Sequence, residues 1–173
     1  PLWSRGLGDV YKRQPIILRQ KPQTSGGKGA RMYSKILVPV DVGEADMTQL
    51  ALDAALAIAR AQPAAQLRLV NVQPLVPVAF IDYIPPNFDE EMRVAAEKAL
   101  NEACGRVDYP HERLSSTVRF GAVYPEVLAE AEDWGADLIV VGSHRPTMAT
   151  YLLGSNAKTI VSHAKCSVLV ARK

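Results

Sequence analysis

The chain has 173 residues with 48% hydrophobic, 22% charged and 6% aromatic content, a balance that fits one globular domain and excludes disordered, collagenous and disulfide-scaffold classes. Its formal charge of +2 hides a division: seven of the twenty basic residues lie between Arg5 and Arg31 beside the single acid Asp9, and the remainder carries 13 basic and 17 acidic residues, net −4. A body of that sign lacks the basic surface that displaces counterions from a polynucleotide, so no nucleic-acid partner is expected.

Residues 1–31 show neither helical nor alternating periodicity, lack the apolar core of a signal peptide and end in Thr-Ser-Gly-Gly-Lys-Gly, a flexible-linker composition. The stretch Asp9–Gln14 resembles a translated sequencing-library adapter, and Met32 has the look of a natural start. The segment is therefore expected to be a disordered leader or non-native artefact outside the fold, with the domain spanning 32–173. Its basic, acid-poor composition also fits a mitochondrial targeting peptide, although no amphipathic helix is visible.

From Lys35 onward, β-rich runs alternate with helical patterns. Ile36–Val40 is a continuous apolar run, as expected of a strand buried on both faces of a parallel sheet. Met47, Leu50, Ala51, Ala54, Ala55, Ile58 and Ala59 then recur at helical spacing, and the pattern stops before Pro63. Leu67–Val72 reads as a second strand. The Pro-rich loop 73–86 leads to a helix carrying Phe88, Met92, Ala95, Ala96, Ala99, Leu100 and Ala103 on one face, with Gly105 placed to end it. The third strand is Ser116–Phe120; Pro125 is expected to open the third helix, which runs to Trp134, and Gly135 to close it. Leu138–Val141 is a fourth strand, Ala157, Ile160, Val161 and Ala164 mark a fourth helix, and Val168–Ala171 is a fifth strand.

Five strands joined by four helix-containing crossovers imply an α/β, doubly wound parallel sheet with helices on both faces. Ligands of such sheets bind outside the carboxyl ends of the strands, which directs attention to the loops after Val40, Val72 and Val141. The mostly apolar stretch Leu75–Ile84 contains Pro77 and Asp82 and falls far short of the roughly 20 residues that span a bilayer, so no membrane partner is expected. Cys104 and Cys166 have no Cys or His at ligand spacing and are read as reduced thiols of a cytoplasmic protein.

Gly142-Ser143-His144-Arg145-Pro146 follows the fourth strand, and after eight further residues from Arg145 Gly154-Ser155-Asn156 opens the fourth helix. A glycine leaving a strand permits close backbone approach, and the unpaired N–H groups of a helix start favour an anion, so the pair reads as a phosphate cradle. Taken singly, Gly142 is equally a turn residue and Ser155 an N-cap. Pro39-Val40-Asp41 brings a carboxylate to the same crevice, where it could meet a ribose hydroxyl or a Mg²⁺ ion, or simply cap a turn. Arg145 could neutralise phosphate charge. The three histidines form no constellation, no Ser nucleophile sits in an elbow, and neither a P-loop nor a dinucleotide fingerprint follows the first strand. An adenylyl-transferring enzyme of similar topology would carry a His-x-Gly-His or Ser-Gly-Gly-x-Asp-Ser signature there, which Pro39–Gly43 lacks.

Over Met32–Lys173 the chain resembles the universal stress protein family. The resemblance is carried by Lys35–Asp41, Leu69–Val72, Val118–Gly121, Gly135–Ser143, Leu153–Ser155 and Cys166–Val170. It implies a Rossmann-like, adenine nucleotide alpha hydrolase-like domain of strand order 3-2-1-4-5 that dimerises through its last strand and binds ATP with Mg²⁺. Regulatory binding with little or no turnover is the implied function, with Ser143 or Ser155 as the nearest hydroxyls for any slow ATPase or autophosphorylation. A nucleotide-free dimeric interaction module of the same family is the alternative. The implied site comprises Pro39, Val40, Asp41, Val72, Gly142, Ser143, His144, Arg145, Gly154, Ser155 and Asn156, with Asp41 near ribose or metal and the main chain of Val72 near adenine. The family's loop motif has a glycine where Arg145 stands and a spacer one residue longer; Pro146 and Leu152–Ala157 resemble a branch with a shortened, Pro-containing loop in which ATP binding is known.

Overall fold

A computed structural model describes residues 16–18, 33–41, 45–75, 87–143 and 154–172. The described strands and α-helices are β1 (Ile16–Leu18), β2 (Lys35–Pro39), α1 (Ala45–Arg60), β3 (Gln66–Gln73), α2 (Phe88–Gly105), β4 (Leu114–Phe120), α3 (Val123–Trp134), β5 (Leu138–Gly142), α4 (Ser155–His163) and β6 (Ser167–Ala171). They build one sheet of order β1-β6-β5-β2-β3-β4. Strands β2 to β6 are parallel to one another, and counted from β2 they stand in the order 3-2-1-4-5.

The apolar runs are continuous because successive residues enter two different cores. In β5, Leu138 and Val140 pack with Ala51, Ala55 and Leu100 of α1 and α2, whereas Ile139 and Val141 pack with Val127, Ala131 and Ile160 of α3 and α4. Each such large side chain, fully buried, contributes about 1.5–3 kcal/mol, which holds helices on both faces of the sheet.

The amino ends of β2 and β5 are tied by Asp137. Its carboxylate accepts from the Ser34 N–H at 2.8 Å, the Ser34 hydroxyl at 2.7 Å and the Lys35 N–H at 3.0 Å. On the α3 face, the buried Glu130 accepts from Arg68 of β3 at 2.8 Å and from Arg119 of β4 at 2.7 Å, and the Arg68 guanidinium lies 4.6 Å from the Trp134 ring centre. The charged pattern of β3 and β4 is thus turned inward toward one helix.

Three boundaries differ from expectation. Pro125 is the third residue of α3, which starts at Val123; first-turn N–H groups lack intrahelical partners anyway, so a proline there removes no bond. Gly135, with φ of 73°, closes α3 in the left-handed conformation as expected. Gly105 is merely the last residue of α2, which is capped by Arg106 in a right-handed conformation, so no left-handed glycine is needed. The third difference concerns the leader: Ile16–Leu18 is a strand, antiparallel to β6 with Ile16 opposite Val170, Ile17 opposite Leu169 and Leu18 opposite Val168. Three residues are too few to show a period. A β-prone Ile-Ile-Leu run nevertheless satisfies N–H and C=O groups that the β6 edge would leave unpaired.

Candidate functional site

From β2 the chain moves to β3 and β4 on one side, then crosses back to β5 and β6 on the other, so the strand order reverses between β2 and β5. The carboxyl ends of β3, β2 and β5 lie side by side there, neighbouring strands being about 4.8 Å apart. This topology brings Pro39, Val40, Asp41, Val72, Gly142 and Ser143 to one edge of the sheet.

Val40 continues the ladder by one bond, donating its N–H to the Val70 carbonyl at 2.9 Å. Asp41 follows on the exposed surface. Its N–H donates to the Thr48 hydroxyl at 2.9 Å, and that hydroxyl in turn donates to the Asp41 carbonyl at 2.9 Å, so α1 fixes the backbone that carries the carboxylate. Beside it, the Asn71 amide nitrogen donates to the Val40 carbonyl at 2.9 Å, and the Asn71 amide oxygen accepts from Gln73 at 2.6 Å. Backbone groups alternate sides along a strand. Since the Val70 carbonyl faces β2, the Val72 N–H and C=O face the same side, beyond the last residue of β2.

Gly142 is the last residue of β5, and the Ser143 N–H donates to the Ala171 carbonyl of β6 at 2.9 Å. Ser143 is 4% exposed, and its hydroxyl has no hydrogen-bond partner among the described residues. Leaving a buried hydroxyl unsatisfied costs about 1–3 kcal/mol, so a polar group supplied from outside the chain would be stabilising there. Helix α4 begins at Ser155 with Gly154, not Ser155, as its N-cap, and no side chain caps it. The first N–H groups of the helix, including those of Ser155 and Asn156, therefore have no intrahelical acceptor, and the helix dipole adds positive potential. Gly154 has an ordinary φ of −51°, and a Cβ placed on it would meet nothing within 4 Å. Neither backbone conformation nor packing against the described residues requires glycine at this position.

His144 and Arg145, with the spacer up to Leu153, lie outside the described residues. Among the described residues no group of three His, Cys, Asp or Glu side chains could hold a metal ion. Asp41 is a single carboxylate, which suits Mg²⁺ only where a phosphate supplies further oxygens. The residues that sequence reasoning missed are Thr48, Asn71 and Gln73. Asn71 carried a usable signal, a polar residue inside the apolar run Leu67–Val72. A cleft of about 490 Å³, lined in part by Arg60, Asp108, Tyr109 and Arg113, lies at the amino ends of β3 and β4. Its arginines are already engaged, Arg60 with Asp108 and Arg113 with the Pro63 carbonyl, so the cleft offers less unsatisfied chemistry than the carboxyl edge.

Residues 32–172 match the family model described as the universal stress protein family. Universal stress protein G of Escherichia coli O157:H7 is 35% identical over 144 residues, covering 82% of this chain and all of that protein. Among solved structures, the universal stress protein UspA from Lactobacillus plantarum superposes with a TM-score of 0.65 at 26% identity, covering 83% of this chain and all of that one. A universal stress protein in complex with cAMP superposes with a TM-score of 0.52 at 25% identity, covering 82% of this chain and 98% of that one.

Proposed function

The chain belongs to the universal stress protein family, and from that premise we propose that it binds ATP at the carboxyl edge of its sheet as a regulatory ligand, with little or no turnover. The observation that carries this reading is the buried Ser143 hydroxyl, without a partner among the described residues, beside the strand-order reversal. The cAMP complex of a structural neighbour supports an adenine nucleotide as the ligand class. Phosphate would be received by Gly142, Ser143 and the uncapped N–H groups at Gly154, Ser155 and Asn156, with His144 and Arg145 from the intervening loop adding to the cradle. Asp41 would meet ribose or a phosphate-bound Mg²⁺, and the main chain of Val72, past the end of β2, would meet adenine. The exposed Ser155 and the buried Ser143 are the nearest hydroxyls to such a phosphate, but no general base stands beside either among the described residues, which favours binding over hydrolysis. We further propose a cytoplasmic homodimer formed through β6.

Gly154→Asp tests the reading with opposite signs on fold and ligand. Aspartate is a better N-cap than glycine and finds open space, so the ligand-free protein should melt no lower than the unaltered one. Its charge should repel phosphate and weaken Mg-ATP binding in calorimetric titration about a hundredfold, or about 3 kcal/mol. Absence of heat and of thermal shift for the unaltered protein at millimolar Mg-ATP would instead support the nucleotide-free interaction module, the reading favoured by Arg145 standing where the family motif has glycine.

A further inference from the structure

In a continuing parallel ladder, the carbonyl of a residue whose N–H bonds residue j−1 of the neighbouring strand accepts from the N–H of residue j+1. Val40 donates to the Val70 carbonyl, so its own carbonyl would accept from the Val72 N–H. The Asn71 side chain takes that place instead, at 2.9 Å. A carbonyl only accepts, so the atom of Asn71 facing it must be the NH₂ group; the amide oxygen is then the atom 2.6 Å from Gln73 and can be met only by the Gln73 NH₂. The relay is polarised from Val40 outward, and at its half-buried end the Gln73 side-chain amide oxygen presents an acceptor.

We propose that Asn71 and Gln73 are positioning residues that set the base selectivity of this site: Asn71 occupies the Val40 carbonyl and so keeps the Val72 N–H available as a donor. That inference rests on the nucleotide reading above and adds its base specificity. A main-chain donor suits the ring nitrogen acceptor N1 of a 6-aminopurine, and the acceptor at the end of the relay suits an exocyclic amino group. A 6-oxopurine presents the opposite pattern, a protonated N1 and a carbonyl, and would face donor against donor. Replacing Asn71 by an apolar side chain of similar size would leave the Val40 carbonyl unsatisfied in a buried place, a cost relieved by recruiting the Val72 N–H.

Two measurements on the full chain test this. In backbone amide hydrogen exchange of the ligand-free protein, Val72 should exchange much faster than Val70, and Asn71→Leu should protect Val72; a Val72 amide already as protected as Val70 would overturn the proposal. In calorimetric titration the unaltered protein should bind Mg-ATP at least about tenfold more tightly than Mg-ITP. Asn71→Leu should bring the two affinities close together, and Gln73→Met, at a half-buried position that threatens folding less, should narrow the gap partway. A merely structural role would weaken both nucleotides equally and leave their ratio unchanged, which would also overturn it. Equal affinities in the unaltered protein sink the relay and leave nucleotide binding standing, whereas failure to bind either nucleotide removes the nucleotide reading and the relay with it.

Discussion

The Ser143 hydroxyl is buried with no hydrogen-bond partner among the described residues, so its effects on stability and on binding should have opposite signs. Ser143→Ala removes an unsatisfied polar group and should raise the stability of the ligand-free protein by roughly 1 kcal/mol, while lowering Mg-ATP affinity several-fold. Thermal melts with and without nucleotide separate the two effects, and a lower melting point without nucleotide would show that the hydroxyl is satisfied by the chain itself. Asp41→Ala should cost less affinity than Gly154→Asp, because it removes one ribose or metal contact and leaves the helix start intact. The same titration series ranks the two. Of the site, Asp41, Gly142 and Gly154-Ser155-Asn156 were legible in the sequence because strand ends and helix starts carry their own residue signatures. Thr48 and Gln73 were not, and Asn71 showed only as a polar residue within a strand run. Thr48 and Asn71 bond the backbone of a neighbouring segment and Gln73 bonds the Asn71 side chain, contacts fixed by strand pairing and helix docking.

At the scale of elements, the parallel strands were legible because burial on both faces turns each into an apolar run, as the split of β5 between two cores shows. β4 was harder, since Leu114–Phe120 is half-buried along its whole length and its arginine works through α3. There Glu130 joins α3 to two strands. Its side chain is 6% exposed, against 27% for Arg68 and 23% for Arg119. Removing the carboxylate leaves the partly buried Arg68 without its ion-pair partner, while Arg119 keeps Glu126 and Asp133, so Glu130→Ala should destabilise the fold by about 3 kcal/mol, near the lower end for a broken buried pair. Glu130→Gln keeps one acceptor and should cost less. Chemical denaturation of both variants gives the values; a cost under about 1 kcal/mol for Glu130→Ala would reduce the network to a surface ion pair. Burial pushes the Cys104 thiol up, a hydrogen bond involving Ser116 drawing it partly back, so this cysteine stays protonated at neutral pH and should alkylate slowly in the native protein.

At the scale of the whole molecule, the two edges of the sheet differ. β4 ends one side, and at the other the last strand of the domain is already paired with Ile16–Leu18. A second copy can add to β6 only where that segment has left. From Leu18 to Lys35 the chain is long enough to reach on the order of 50 Å when extended, while β1 and β2 are three strand spacings, about 14 Å, apart. The length of chain between the two strands is therefore ample for the pairing. Three register pairs at an edge bury little and form few bonds, so the contribution of β1 to stability should be small, and a chain starting at Met32 should melt within a few degrees of the full one. Its effect on assembly should be larger. With the β6 edge uncovered, the chain from Met32 should be a dimer at micromolar concentration by light scattering, and the full chain should shift toward monomer. Leu169→Pro removes a ladder donor in the middle of β6 and should return the shortened chain to monomer while its circular dichroism stays α/β. A dimer of equal strength with and without residues 1–31 would mean that the two chains meet elsewhere, and the β4 edge would then be the surface to block.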